Sequence, residues 1–242
     1  MVEWIEGAIG GYIGQRAVVD GVSLPIFPHK VTAIFGPSGS GKTSLLRIIA
    51  GLWEGRTVGL KINRNLRVGY VAQKDFLFPW MTLARNMLFP ARLTNVSMKN
   101  AGEKVENLSS LFRIEHLLDR LPYEVSGGEL QRALIVRALV TDPNLLLLDE
   151  PMNSLDVASR IALRQSLKST VESENLSLIL VTHELPDAIS IANFICICCG
   201  PPLRVRKILV RSGDAQFRDE DRNLSAEETR LLVEGELTTF SS

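Results

Sequence analysis

Cysteine is scarce: the 242 residues contain three, all close together at Cys196, Cys198 and Cys199. An odd number in one cluster gives no disulfide framework, which excludes a small cystine-stapled scaffold. Long apolar runs are also missing. A bilayer span takes roughly 20 uninterrupted apolar residues, whereas Leu145–Leu148, Leu176–Val181 and Ile195–Cys199 are only strand-sized. Met1, Val2, Glu3 and Trp4 lack a basic stretch leading into an apolar one, so no signal peptide is expected and a cytosolic protein is the default. Neither sign of charge is in excess, since 27 basic residues balance 27 acidic ones. A surface that binds polyanions through total charge is therefore not indicated. Internal repeats and low-complexity tracts are absent too. What remains, 45% hydrophobic and 22% charged, is not a disordered chain. Its length suits one large α/β domain, or a main lobe with a subdomain.

Strand-like runs alternate with helical patterns, which favours a largely parallel α/β sheet. Val31–Phe35 reads as a strand running into a glycine-rich loop, and Lys42–Ala50 as a helix stopped by Gly51. Arg67–Ala72 is a further strand. From about Phe76 to Leu139 the pattern is helical, with Val105, Leu108, Leu111, Phe112 and Leu118 at helical spacing. Strands return at Leu145–Leu148, Leu176–Thr182 and Phe194–Cys199, and Leu163, Leu167 and Val171 form an apolar helical stripe between the first two. After Gly213 the chain turns polar and acidic. Ser225–Leu237 reads there as a short terminal helix on a solvated, weakly packed face.

Gly36, Pro37, Ser38, Gly39, Ser40, Gly41, Lys42 and Thr43 fit G-x-x-x-x-G-K-[ST] between a predicted strand and a predicted helix. The glycines let successive backbone N–H groups converge on phosphate oxygens, and the helix start adds positive potential. Lys42 reaches β- and γ-phosphates in such a loop, and the Thr43 hydroxyl ligates Mg²⁺. The loop alone leaves kinases, GTPases and transport ATPases open. Leu145–Leu148 then delivers Asp149 and Glu150 to the carboxyl edge of a buried sheet, where ligands bind in such folds. Asp149 suits a metal-holding role. Glu150 is placed to polarise an attacking water as general base.

Val125, Ser126, Gly127, Gly128 and Glu129, followed by Gln131 and Arg132, resemble the signature segment of ATP-binding cassette (ABC) proteins. Asp149-Glu150-Pro151, Ser154-Leu155-Asp156 and the strand leading to Thr182-His183 follow in the family's order, and Gln73 stands where the family places its Q-loop glutamine. The resemblance runs from about Tyr12 to His183. It implies a P-loop NTPase fold of ABC type: a mostly parallel sheet core, an amino-terminal antiparallel portion and an inserted helical subdomain. It implies an ATPase that uses ATP and Mg²⁺, with ATP bound between two domains arranged head to tail. The P-loop, Gly36 to Ser44, of one chain and Ser126, Gly127, Gly128 and Glu129 of the other would grip the same nucleotide. Thr43, Gln73 and Asp149 would serve the metal, Glu150 and His183 catalysis. A lone histidine after an apolar strand is otherwise more often structural. Asp156 would sit at the dimer interface. Tyr12 falls where an aromatic stacks on adenine, its alternative being a strand residue packed in the amino-terminal sheet.

The chain departs from the common family pattern at Val125 and Glu129, at His29-Lys30, where Gly-Glu is usual, and at Thr43-Ser44, where the order is inverted. None of these removes a chemical group that hydrolysis needs. The resemblance also implies an ABC ATPase domain over 1–212, with a catalytic lobe at about 1–75 and 140–212, a helical lobe at about 76–139, and a short acidic tail at 213–242. Gln73 through Thr82 is similar to the corresponding stretch of importers for nitrate, taurine and alkanesulfonates. That likeness implies a transporter subunit at the cytoplasmic face of the inner membrane, held by permease subunits, with a periplasmic solute-binding protein in the complete system. Other ABC transport systems and, less consistently, a P-loop kinase are the alternatives. Phe76, Phe78 and Trp80 either form a groove for a permease helix or pack inside the helical lobe. The three cysteines suit a buried strand better than tetrahedral metal ligation.

Overall fold

All five residues of Val31–Phe35 are buried, as in a strand covered on both faces. The same holds for Leu145–Asp149 and Ser177–Thr182, whose near-continuous aliphatic sequences would be costly to expose. These strands belong to a computed structural model that describes residues 5–6, 9–63, 65–94, 96–153, 155–174, 176–213, 216–219 and 222–238. Two units divide the chain, Met1–Leu66 with Ser177–Ser242, and Arg67–Leu176 inserted in sequence between those two segments.

In the first unit, six strands run in the order Arg222–Leu224, Gln216–Asp219, Arg204–Gly213, Phe194–Cys199, Val31–Phe35, Ser177–Thr182. The last three are mutually parallel, with Phe35 opposite both Ile197 and Thr182. Their carboxyl ends therefore share one edge. A separate antiparallel sheet orders Arg16–Val22, Ile9–Ile13 and Arg56–Val58. The helix Lys42–Ile49 buries Leu45, Leu46, Ile48 and Ile49. Each such aliphatic side chain contributes about 1.5–3 kcal/mol relative to exposure. His29 has φ 58°, the left-handed turn conformation that suits the glycine usual there.

The tail is more ordered than its composition suggests. Gln216–Asp219 and Arg222–Leu224 extend the sheet antiparallel to Arg204–Gly213, and Ala226–Thr238 is helical. Phe217 and Val233 are fully buried, with the Arg211 guanidinium 4.8 Å from the Phe217 ring centre. Asp219, read from sequence as solvated, pairs with Lys207 at 2.7 Å. Strands of three and four residues are too short for alternation to register, so only their pairing reveals them. Ser154, Glu220 and Asp221 lie outside the described residues.

In the second unit, Val68–Val71 runs parallel to Leu145–Asp149, and Val71 stands opposite Leu148. Helices occupy Leu83–Leu88, Met98–Leu111, Gly127–Leu139 and Val157–Ser173. Val105, Leu108 and Phe112 are buried as their spacing predicts, and so are Leu163, Leu167 and Val171. Among the described residues, no helix is long and apolar enough to cross a membrane.

Candidate active site

The phosphate-loop residues and His183 leave the same edge of the first unit, because Phe35 and Thr182 are register partners. Pro37, Ser38 and Gly39 are exposed at the loop's crest, as is His183, while Lys42 is 4% exposed. Gly41 caps the following helix at φ 107° with no side-chain cap, a conformation that an L side chain rarely adopts. The helix thus begins on bare backbone, with its N–H groups and dipole directed out of the loop. Lys42 Nζ donates to the carbonyls of Gly36 at 2.9 Å and Pro37 at 2.7 Å, so the ammonium is drawn back along the loop that it serves. Thr43 and Ser44 are half-buried just behind it.

Beneath the loop lies Cys198. A Cβ on Gly36 would stand 2.5 Å from the Cys198 carbonyl oxygen, so the strand and loop can meet only at a glycine. Burial, with Cys199 adding to it, pushes the Cys198 thiol up to about 12 despite the opposing charge of Lys42. Burial, then Cys198, likewise raises the Cys196 thiol. Both thiols stay protonated at neutral pH, which disfavours metal ligation and nucleophilic attack. Among the described residues, no group of three or more His, Cys, Asp or Glu could hold a metal ion. At pH 8 the native protein is expected to keep Cys196 and Cys198 unalkylated by iodoacetamide, with labelling in mass spectra only after denaturation. Because the folded Cys198 value exceeds the ordinary 9.0, the group leaves stability unchanged below pH 9 and lowers it as pH climbs towards 12.

In the second unit, the strand ending at Asp149 carries that carboxylate 2% exposed, and Glu150 follows half-buried at φ 51°. A non-glycine residue held there costs about 1–3 kcal/mol, and such strain gathers at functional sites. Gln73 Nε2 donates to Glu150 Oε2 at 3.0 Å, and Asn153 Nδ2 donates to the same oxygen at 3.3 Å. Both of these donors are neutral amides, and they orient the carboxylate, which suits a general base. Sequence reading missed Asn153; its only signal is its place three residues after Glu150.

Ser126 caps Gly127–Leu139 reciprocally: its hydroxyl accepts from the Glu129 N–H at 3.4 Å, and Glu129 Oε2 accepts from the Ser126 N–H at 2.8 Å. These bonds from Ser126, backbone first, hold the Glu129 carboxyl below its usual 4.5. Ser126 and Gly127 are exposed, whereas Gly128 is buried against Ser159, whose hydroxyl would lie 2.8 Å from any added Cβ. Ser159 is held in turn by Asp156, which accepts from its hydroxyl at 2.6 Å and from its N–H at 2.9 Å. Arg137, on the same helix as the signature glycines, pairs with Asp75 at 2.8 Å and donates to the Phe76 carbonyl at 2.7 Å. It ties the segment after Gln73 to that helix, a link between residues 62 apart that no motif announces.

The aromatic segment divides. Phe76 and Trp80 are 76% and 70% exposed, whereas Leu77 is buried and Phe78 packs on Phe89 and Trp80. Buried Asn86 shapes this turn, accepting from the Phe78 N–H at 2.7 Å and donating to the Met81 carbonyl at 3.0 Å.

The ABC transporter family profile matches residues 19–153 of the chain. The aliphatic sulfonates import ATP-binding protein of Corynebacterium glutamicum is 36% identical over 184 residues, covering 76% of this chain and 75% of that protein. A sulfate/thiosulfate import ATP-binding protein of Shewanella oneidensis is 37% identical over 202 residues, 78% of this chain but 57% of its own length. The solved dimeric structure of a bacterial ABC transporter cassette superposes with a TM-score of 0.65 at 26% identity, over 79% of this chain and 93% of that one.

Proposed function

Since the chain belongs to the ABC transporter family and is an ATP-binding ATPase of it, we propose that it is the energy-coupling subunit of an importer. The solute would be a small one, such as a sulfonate, taurine or nitrate. The observation that carries the catalytic part is Glu150, in a left-handed backbone at the end of an apolar strand, its carboxylate oriented by Gln73 and Asn153. Glu150 accepts the proton of the attacking water. The loop from Gly36 to Ser44 binds the phosphates through its N–H groups, and Lys42 holds the β- and γ-oxygens. His183 keeps the γ-phosphate oriented, and Tyr12 stacks on adenine.

Hydroxyl, amide and carboxylate oxygens are the hard donors that Mg²⁺ prefers beside substrate phosphates, so Thr43, Gln73 and Asp149 fit as the residues that would hold it. When bound, the ion supplies positive charge against the phosphate oxygens. Ser126, Gly127, Gly128 and Glu129 serve the nucleotide of a second copy arranged head to tail. Two composite sites result. Residues 76–139 act as the helical lobe, and exposed Phe76 and Trp80 offer the apolar surface for a cytoplasmic helix of a permease. The chain then works at the inner face of the membrane, with a periplasmic solute-binding protein outside.

Steady-state phosphate release tests the composite site. At low protein concentration the rate is expected to rise with the square of concentration, because neither copy holds a complete site. A strictly first-order dependence at concentrations where the chain runs as a monomer would overturn it.

A further inference from the structure

Tyr12 and Arg56 are direct register partners on the antiparallel strands Ile9–Ile13 and Arg56–Val58. The Arg56 guanidinium carbon lies 5.0 Å from the centre of the Tyr12 ring. Glycines at Gly10, on the strand of Tyr12, and at Gly55, just before the strand of Arg56, make that approach feasible. A Cβ on Gly55 would stand 2.1 Å from the Tyr12 carbonyl oxygen, and one on Gly10 would stand 3.2 Å from Tyr12 Cε2. The ring thus leans over bare backbone, with a cation against it. All three residues of Arg56–Val58 are exposed, and among the described residues Arg56 forms no ion pair. Core packing therefore does not account for an arginine at this place. The ring contact does.

We propose that Arg56 is a positioning residue of the nucleotide-base subsite, its guanidinium occupying one face of Tyr12 and leaving the opposite face to the purine of ATP. The inference rests on the reading of Tyr12 as the adenine-stacking residue. A guanidinium is planar and weakly hydrated, so it lies flat on an aromatic ring where an ammonium does not. A ring already held in its tilt loses less conformational freedom when the base arrives. The cation also draws on the ring's electron-rich face, which settles the face that remains available.

Calorimetric titration of the full chain separates the base from the phosphates, using ATP and inorganic tripolyphosphate as probes. Arg56→Ala is expected to weaken ATP about 3-fold, the size of an exposed cation–π contact. Tyr12→Ala is expected to weaken it about 10-fold, as loss of base stacking does. Tripolyphosphate binding stays unchanged in both, which also shows that the variants fold. In the Tyr12→Ala background, Arg56→Ala adds nothing, and Arg56→Lys in the parent chain does not restore ATP affinity.

If Tyr12→Ala weakens ATP and Arg56→Ala does not, the role of Arg56 falls while that of Tyr12 stands. If Tyr12→Ala leaves ATP unaffected, the adenine reading itself fails. Equal losses for both probes in Arg56→Ala, or full affinity in Arg56→Lys, would mean that charge acts and stacking does not, which overturns the proposal.

Discussion

Replacing Glu150 by Gln is expected to lower ATP turnover about 10²–10⁴-fold by removing the general base, while ATP still binds. The substitution is nearly isosteric, so Gln73 and Asn153, which now donate to Glu150 Oε2 at 3.0 and 3.3 Å, can still donate to an amide oxygen. Local geometry should survive, and so should the left-handed backbone at this residue. What is lost is basicity: a neutral amide cannot take the proton of the attacking water. On the proposed reading, ATP is then expected to stay intact in the composite sites and to hold the dimer closed. Phosphate release, ATP titration and size-exclusion chromatography with ATP read the three consequences separately. Undiminished turnover would remove Glu150 from its role. Lost binding would place it among the nucleotide-holding residues instead.

Lys42→Ala is expected to weaken ATP binding about 100-fold or more, in contrast. Hydrogen bonds to charged groups contribute about 1.5–3 kcal/mol each, and in the proposed role the ammonium would make several to phosphate oxygens. Its side chain is almost wholly buried and already donates along the loop to Gly36 and Pro37, so on the proposed reading it would reach the phosphates from a constrained position. Arginine should not substitute, because a broad planar group does not fit where a point charge does. Calorimetry measures the loss, and an unchanged melting temperature without nucleotide separates it from unfolding. Parent-like ATP affinity in the alanine variant would exclude Lys42 from phosphate binding.

Local pattern made much of the fold readable. Val31–Phe35 and Phe194–Cys199 coincide residue for residue with their predicted spans, because continuous apolar runs bounded by glycine and turn residues have few alternatives. The helix Lys42–Ile49 starts where a glycine loop announces it. Gln216–Asp219 and Arg222–Leu224 were not readable, since polar strands this short exist by virtue of their neighbour. Nor was the fate of the aromatic segment. Phe76 and Trp80 face outwards and Leu77 inwards because buried Asn86, eight residues beyond Phe78, shapes the turn.

The chain's order of residues was enough to point to a candidate phosphate loop and a pair of strand-end carboxylates and, through family resemblance, to a candidate signature segment, because each is a contiguous pattern whose chemistry depends on its own backbone. Which groups meet was a matter for the tertiary structure. Gln73 reaches Glu150 across 77 positions and Arg137 reaches Asp75 across 62, while Arg56 settles on Tyr12 because two strands pair in one register. Contacts of that kind depend on strand order and close backbone approach, and periodicity along the chain carries neither.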